Sequence, residues 1–281
     1  MKDYLKLVVN TKNPDLISVI DELPLWSAPF GLRLLDIIEL KKNIRALDLG
    51  CGLGFPLIEL SQRLGQTSQV YGIDTWNEAL DRVKFKLQFY NIKNVKLING
   101  SAENMPFDTG YFDLIMSNNG INNVQDIAQT MKECYRVCKS NAQMAFTLNT
   151  QETMIEFYSV LREVLEEEGL KDGIKKMKAH IYLKRKPVEE IKSLTEDSGF
   201  TVKNTIYDSF ELRFIDGTTM LNHYLIKYWF LGDWKNILNQ NDQARVFDKV
   251  ESKLNVQSEV NGRLTLTIPF VIFDCRRNYI K

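Results

Sequence analysis

Residues 46–54 read Ala-Leu-Asp-Leu-Gly-Cys-Gly-Leu-Gly, an apolar run that ends in three alternating glycines. An apolar run, a glycine-rich turn and a following helical pattern predict a buried strand, a tight turn and a helix. Glycine lets the backbone turn tightly and approach a ligand closely, and the N-terminus of a helix favours negative charge. A dinucleotide-binding fingerprint would need glycine at position 55, where this chain has Phe55. The stretch therefore indicates a ligand-binding turn and argues against an NAD-linked oxidoreductase.

Strand-like and helix-like segments alternate along the chain from this stretch onward. Apolar runs predict strands, and 3.6-residue periodicity predicts helices. The predicted strands are 44–49, 70–73, 95–98, 112–116 and 142–148, and the predicted helices between them are 56–64, 76–90 and 124–137. Strands joined by helices at this spacing imply βαβ units and a parallel sheet with helices on both faces.

The pattern changes after residue 150. Helices are predicted over 152–168, 187–198, 220–238 and 243–254, and alternating strands over 201–214 and 262–273. We expect the two late strands to form an antiparallel pair at the sheet edge, with about 216–256 between them as a helical insertion. The predicted fold class is therefore α/β, with a Rossmann-like seven-stranded, mostly parallel sheet. Residues 1–40 are expected to form an N-terminal helical lid, and residues 41–281 the Rossmann-like domain.

Polar side chains follow the predicted strands at the sheet edge where open α/β sheets bind ligands. Asp74 ends the second strand, 20 residues after Gly54, and an acid there can accept hydrogen bonds from both hydroxyls of a ribose. Trp76 offers a flat face for an adenine ring. The alternative for Asp74 is an N-cap of the following helix.

The motifs taken in order resemble those of class I S-adenosylmethionine-dependent methyltransferases. They are Asp-Leu-Gly-Cys-Gly-Leu-Gly at 48–54, Asp74, Ser-Ala-Glu-Asn-Met-Pro-Phe at 101–107 and Phe-Asp-Leu-Ile at 112–115. Residues 133–139 are similar to the helix end that this family places before its fifth strand. The resemblance covers about 43–150 and is nearest to small-molecule enzymes such as those of ubiquinone and menaquinone methylation. It implies transfer of the methyl group of S-adenosylmethionine to a small-molecule acceptor. The alternative is a protein that binds S-adenosylmethionine to regulate or scaffold without turnover.

The resemblance also implies a set of cofactor-binding residues. They are Asp48, Gly50, Cys51, Gly52, Gly54, Asp74, Thr75, Trp76, Ser101, Ala102, Glu103, Asn118 and Trp26. Ser101 stands where the family often has an aspartate that binds the adenine amino group, and a serine oxygen accepts more weakly. Asp48 is expected near the methionine end of the cofactor.

Trp26, Phe30 and Gly31 are expected to belong to a lid across the cofactor. Pro24 and Pro29 predict a loop or helix junction there rather than a helix interior. The alternative is an apolar flap packed on the core.

The insertion at 216–256 is expected to cover the active site and supply most of the acceptor specificity, because long connections in compact domains are usually functional. It is rich in aromatic residues, which suit a hydrophobic or planar ligand. These are Tyr224, Tyr228, Trp229, Phe230 and Trp234. His223 is the one candidate base, and the catalytic residue is otherwise unassigned. The alternatives are a core or a dimer interface for the aromatic residues, which leaves a homodimer open, and a structural role for His223.

The overall charge argues against nucleic acid as the main partner. The chain has 36 Lys plus Arg and 36 Asp plus Glu, so no net field attracts a polyanion. A basic patch within 175–186 is interpreted as a solvated surface. Methylation of DNA amines usually goes with Asn-Pro-Pro-Tyr after the fourth strand, whereas residues 118–121 are Asn-Asn-Gly-Ile.

The cysteine spacing and the lengths of the apolar runs argue against a metal or redox site and against a membrane-spanning helix. Cys134 and Cys138, four residues apart, would share one face of a helix, and we interpret them as buried small hydrophobes rather than a metal or redox pair. No metal site is expected. No apolar run is long enough to span a bilayer, and the first ten residues do not resemble a secretion signal. The expected location is cytoplasmic.

Overall fold

The computed structural model describes residues 2–10, 12–21 and 25–278. Its sheet has seven strands in the order β3-β2-β1-β4-β5-β7-β6. The strands are β1 (Arg45–Leu49), β2 (Gln69–Asp74), β3 (Val95–Asn99), β4 (Phe112–Asn118), β5 (Cys138–Asn149), β6 (Phe200–Phe214) and β7 (Leu264–Arg277). Strands β1 to β5 pair in parallel, and β7 runs antiparallel to β5. This architecture confirms the predicted fold class.

The helices mostly fall where the periodicity predicts them. They are α1 (Asp3–Lys6), α2 (Pro14–Asp21), α3 (Ser27–Ile37), α4 (Leu57–Leu64), α5 (Asn77–Phe89), α6 (Ile127–Val137), α7 (Ile155–Glu167), α8 (Lys171–Lys184), α9 (Val188–Asp197), α10 (Gly217–Asn222), α11 (Leu231–Asn236) and α12 (Gln240–Asn261), with a short 3₁₀ helix at Ile121–Asn123 and a π-helical segment at Ile226–Phe230. Across the residues described, no helix combines the length and apolar composition needed to cross a bilayer.

The strand order creates a crevice between β1 and β4. The chain passes from β1 outward to β3 and then returns to β4 on the other side of β1, so the connections leave β1 and β4 in opposite directions. Asp48 in β1 pairs with Gly72 of β2 and with Met116 of β4, near the carboxyl ends of all three strands. Ligands of open α/β sheets bind at such a reversal of strand order.

The described chain divides into two compact units. The first, here called the sheet unit, comprises Thr11–Asn149, Pro187–Asp208 and Phe270–Lys281, and the second, the helical unit, comprises Met1–Asn10, Thr150–Lys186 and Ser209–Pro269. The core of the sheet unit includes Phe146 and Phe273, which stack across β5 and β7 with ring centroids 5.0 Å apart. The core of the helical unit includes Trp234, which stacks on Phe157 at 3.7 Å. The segment predicted as an insertion lies within the helical unit.

One local prediction is confirmed and two are wrong. The segment around Pro29 forms the predicted helix junction, since α3 begins at Ser27 and Pro29 lies in its first turn, where no backbone N–H is required of it. Pro24 lies outside the described residues. The helix predicted over 220–238 is broken after Asn222 and resumes through the π-helical segment Ile226–Phe230 into α11. Cys134 and Cys138 do not share a helix face, because α6 ends at Val137 and Cys138 opens β5.

Candidate functional site

The glycine turn after β1 combines one tightly packed position with one open position. Gly50 and Gly52 have φ angles of 77° and 47°, in the left-handed region that favours glycine. A Cβ on Gly50 would lie 2.9 Å from Cα of Gly120, whereas a Cβ on Gly52 would meet no atom within 4 Å. Gly54 packs differently, since its Cβ would lie 3.1 Å from a methyl group of Val83 in α5. Space for a ligand therefore lies over Gly52.

Asp74 at the end of β2 ties this turn to the start of α5. Its Oδ2 accepts a hydrogen bond from the Gly52 N–H at 2.8 Å, and its Oδ1 accepts one from the Trp76 N–H at 2.9 Å. Each carboxylate oxygen can accept a further bond. Trp76 is itself the N-cap residue of α5, so the N-cap alternative for Asp74 is wrong. Trp76 is half-buried and Thr75 is exposed, and both lie beside this carboxylate in the chain.

Asp48 is a fully buried carboxyl group in β1. Within the part of the chain that the structure describes, neither oxygen has a hydrogen bond of normal geometry. Burial, and then the charge of Asp74, raise the pKa of Asp48 to about 8, while the backbone N–H of Leu57 opposes the shift. A buried charge without a partner is costly, so this carboxyl group either stays protonated or meets a cationic group of a ligand. Burial also raises the pKa of the neighbouring Cys51 thiol, which keeps it protonated.

The predicted contacts at 101–103 are engaged within their own loop. The Ser101 hydroxyl donates a hydrogen bond to the Glu103 carboxylate and accepts one from the Glu103 N–H at 3.1 Å. Glu103 also accepts a bond from the Gln125 N–H at 2.8 Å. Although burial raises the pKa of Glu103, these hydrogen bonds together lower it. Ala102 packs against the core of the sheet unit. Glu103 is therefore an ionised residue that shapes the loop.

The helix end at 133–139 supports the same loop from below. The Glu133 carboxylate accepts a hydrogen bond from the Met105 N–H at 2.9 Å, and the Arg136 guanidinium donates to the carbonyl groups of Met105 and Phe107. The ion pair with Arg136 is the main cause that lowers the pKa of Glu133. The motif at 133–139 thus has a structural role, since the pair of Glu133 and Arg136 holds the loop that follows β3 in place.

Helix α3 lies against the glycine turn and the end of β4. The Asn118 side chain donates to the Ser27 carbonyl at 2.9 Å and accepts from the Thr147 hydroxyl at 3.1 Å. A Cβ on Gly31 would lie 2.4 Å from the Phe55 ring, so α3 can approach this closely only because residue 31 is glycine. Asn118, predicted as a cofactor contact, therefore holds α3 in position.

Trp26 and Phe30 take different environments. Phe30 is fully buried, with its ring centroid 4.9 Å from that of Phe270, and thus matches the alternative of an apolar flap packed on the core. Trp26 is half-buried, and its ring centroid lies 5.2 Å from that of Phe30. A contact of Trp26 with the cofactor stays a prediction.

His223 follows α10 in the helical unit. Its ring lies 5.2 Å from Phe214 and 4.6 Å from Tyr224, and its Nδ1 has no hydrogen-bond partner among the described atoms. Burial lowers its pKa. The role of His223 as a base stays a prediction. Trp234 is fully buried, so the core alternative is correct for this residue, whereas Trp229 is partly exposed.

A cluster of asparagines after β4 and β5 was not predicted. Asn122 donates to the side chains of Asn119, at 3.3 Å, and Asn149. Asn119 is buried, and its backbone is in the left-handed region, with a φ of 58°. Its side-chain Nδ2 has no hydrogen-bond partner among the described residues. The run of asparagines at 118–123 is the signal that could have identified this group. It contributes a buried amide donor at the carboxyl edge of the sheet.

The arrangement fits a nucleoside that carries a cationic chain. The space over Gly52 is open, the Asp74 carboxylate can accept from a ribose, and the buried Asp48 carboxyl has no hydrogen bond of normal geometry among the described residues. Groups of three or more His, Cys, Asp or Glu side chains able to hold a metal ion do not occur in the described ranges. All four cysteines are buried, in agreement with their interpretation as small hydrophobes.

Residues 40–212, well over half of the chain, match the family model described as a methyltransferase domain. A demethylmenaquinone methyltransferase of Geobacillus sp. is 34% identical over 120 residues, which cover 43% of this chain and 51% of that protein. The chain thus spans about half the length of the curated relatives it matches.

Solved structures share the fold at low sequence identity. A SAM dependent methyltransferase from Aquifex aeolicus has a TM-score of 0.51 and 23% identity, over 69% of this chain and 92% of that one. Phosphoethanolamine N-methyltransferase 2 of Haemonchus contortus, in complex with S-adenosyl-L-methionine, has a TM-score of 0.59 and 15% identity, over 99% of this chain and 61% of that one.

Proposed function

The chain belongs to the family of methyltransferase domains, and on this premise we propose that it transfers the methyl group of S-adenosylmethionine to a small-molecule acceptor. The membership agrees with the methyltransferase assignment that the motif series implies, and S-adenosylmethionine as the methyl donor is part of this proposal. The observation that carries the proposal is the edge of β1 and β2, where the open space over Gly52 adjoins the Asp74 carboxylate and the buried Asp48 has no hydrogen bond of normal geometry among the described residues.

The residues of this edge would bind the cofactor and fix its orientation. Asp74 would accept hydrogen bonds from the ribose hydroxyls while it keeps its bonds to Gly52 and Trp76. Asp48 would offset the positive charge of the methionine end. When bound, S-adenosylmethionine supplies a methyl group on a sulfonium that is already a strong electrophile. The remaining task of the protein is to align the acceptor and exclude water.

Two features support a small molecule as the acceptor. A relative that is 34% identical over 120 residues is named a demethylmenaquinone methyltransferase, and the chain carries no net charge that would attract a nucleic acid. We propose that Asn119, with its buried and partnerless Nδ2, orients a polar group of this acceptor. A base is needed only if the acceptor must lose a proton, and His223 is the candidate for that role. That residues 216–256 supply acceptor specificity stays a prediction.

Calorimetric titration with S-adenosylhomocysteine and with adenosine tests the ribose assignment. Asp74→Ala should weaken the binding of both ligands about tenfold or more, as expected for a lost hydrogen bond to a charged group. The matched control is Asp81→Ala, which removes an exposed carboxylate of α5 and should leave both affinities within about twofold. Unchanged adenosine affinity in a folded Asp74→Ala protein would exclude Asp74 as the ribose ligand.

Turnover separates the proposed function from its alternative. The wild-type protein, incubated with S-adenosylmethionine and a panel of quinols, phenols and amines, should release S-adenosylhomocysteine with at least one of them. Tight binding of S-adenosylmethionine without release of S-adenosylhomocysteine in the presence of any of these acceptors would favour the non-catalytic, S-adenosylmethionine-binding alternative.

A further inference from the structure

A buried polar cluster lies in the helical unit, centred on the Tyr158 hydroxyl. Three side chains converge on this oxygen: Nε1 of Trp234 at 3.0 Å, Nε2 of His180 at 3.1 Å and Nη1 of Arg185 at 3.5 Å. Tyr158 and Trp234 are fully buried, whereas His180 is half-buried and gives the cluster an edge toward solvent. The proposed methyl transfer makes no use of these residues.

Arg185 carries a buried charge that has no ion-pair partner among the described residues. The residue is 4% exposed, its Nε has no hydrogen-bond partner, and no ion pair in the described part of the chain includes it. The Tyr158 ring, 5.6 Å from the guanidinium carbon, offers a cation–π contact in place of a carboxylate. Arginine stays protonated in proteins, and a buried cation without an anion is destabilising.

The hydrogen-bond directions make the cluster rich in donors. The Trp234 indole can only donate, so the Tyr158 oxygen accepts that bond and its O–H is free to donate to His180 Nε2. His180 then carries its proton on Nδ1 as a neutral ring. Burial is the main cause that lowers the pKa of His180, and Arg185 and Lys184 lower it further, whereas Asp233 opposes them. Asp233 is already paired with Lys184 at 3.1 Å.

We propose that Arg185 and His180 bind an oxyanion, the carboxylate or phosphate group of a small molecule. The planar guanidinium can bind two oxygens of such a group at once, and the His180 Nδ1–H adds a further donor. The bound anion would supply the negative charge that is missing beside the Arg185 guanidinium. This site consists of residues of the helical unit alone and does not depend on the proposed methyl transfer.

The basic patch of the sequence acquires a role in this proposal. Lys175, Lys176 and Lys178 of α8 are exposed, whereas Arg185, directly after this helix, is the buried member of the patch. Exposed lysines raise the local concentration of anions, and the buried arginine supplies the specific contact.

The test is the unfolding temperature of the full chain in phosphate, acetate or chloride at equal ionic strength and pH, without cofactor. Phosphate or acetate should raise the unfolding temperature of the wild type in a saturable way relative to chloride, and the more effective anion identifies the class of ligand. Arg185→Met should abolish this response. Lys178→Met, which removes a surface charge from the same helix, should keep it.

Stability without an added anion provides a second readout. Arg185→Met should unfold in chloride at a temperature no lower than the wild type, because it removes an uncompensated charge. Arg185→Lys keeps the charge but loses the planar fork, so calorimetry should show phosphate affinity at least about fivefold weaker. The proposal is overturned if neither anion stabilises the wild type, if Arg185→Met responds like the wild type, or if Arg185→Met unfolds well below the wild type in chloride. None of these readouts depends on turnover, so failure here is distinct from failure of the proposed function.

Discussion

At the scale of single residues, Asp48 has the most unusual environment of the candidate site. It lies in the middle of a parallel sheet, without a hydrogen bond of normal geometry and close enough to Asp74 to be affected by its charge. The local sequence around Asp48 explains why it is buried, since Leu47 and Leu49 flank it in a central strand. A residue that destabilises the free protein in this way is typical of a binding site.

The burial of Asp48 predicts a pH dependence of stability. The folded-state pKa of about 8 lies above the ordinary value of 3.8, so the folded protein holds a proton that the unfolded chain releases. The stability from the neutral carboxyl is complete below about pH 4 and is lost as the pH rises through about 8. Asp48→Asn should reduce the fall in unfolding free energy between pH 5 and pH 9 by on the order of a few kcal/mol. Urea titrations at both pH values measure this difference.

The exposed variant Asp81→Asn is the control for Asp48→Asn. Asp81 has a side chain that is 70% exposed, so its substitution should leave the pH dependence of the wild type unchanged. An Asp48→Asn protein whose stability falls with pH as steeply as that of the wild type would contradict the raised pKa.

At the scale of elements, the strand–turn–helix around residues 45–64 combines two different requirements. Gly50 must be small because Gly120 touches it, and Gly52 faces the space that we assign to the ligand. The Asp74 carboxylate connects this turn to β2, and the Asn118 amide connects α3 to β4. The turn is therefore held by a side chain of β2, and the helix that packs beside it is held by a side chain of β4.

Alanine substitutions should separate the two glycines. Both introduce a side chain at positive φ, which costs about 1 kcal/mol each. Gly50→Ala adds a clash with Cα of Gly120 at 2.9 Å and should lower stability by roughly 2 kcal/mol or more. The added methyl group of Gly52→Ala meets no protein atom, so this variant should lose only about 1 kcal/mol of stability. It should nevertheless weaken the binding of S-adenosylhomocysteine about tenfold or more. Thermal unfolding and calorimetric titration measure the two effects, and equal losses of stability for both variants would contradict the assignment.

At the scale of the whole molecule, the residues proposed for the cofactor and the segment predicted to determine acceptor specificity fall in different units of the chain. The residues that fit the cofactor lie in the sheet unit, and the family match covers its strands β1 to β5. The helical unit contains His223 and the aromatic segment, and the prediction that 216–256 determines acceptor specificity concerns this unit. Trp229 is the appropriate residue for a test because it is partly exposed, whereas Trp234 belongs to the core.

Trp229→Ala should raise the KM for the acceptor about threefold or more and leave the affinity for S-adenosylhomocysteine unchanged, because the loss of one aromatic contact weakens only the ligand that uses it. Phe89→Ala, at an exposed aromatic residue of α5, is the control and should change neither value. Steady-state kinetics on an identified acceptor, together with calorimetry, measure the two constants. An unchanged KM in Trp229→Ala would remove Trp229 from the acceptor site.

The α/β class, the edge pair and the places of Gly50, Gly52 and Asp74 could be predicted from the sequence, because they depend on local signals. Alternating apolar runs, positive φ at glycine and an acid at a strand end act within a few residues of one another. Three findings could not be predicted in this way: Asn118 holds α3, Ser101 donates to Glu103, and Arg185 is the buried member of a basic patch. Those outcomes depend on which side chains meet across elements far apart in the chain, and on which charges burial leaves without a partner. Neither property can be predicted from local periodicity, since the same residue type can be solvated or buried according to what packs against it.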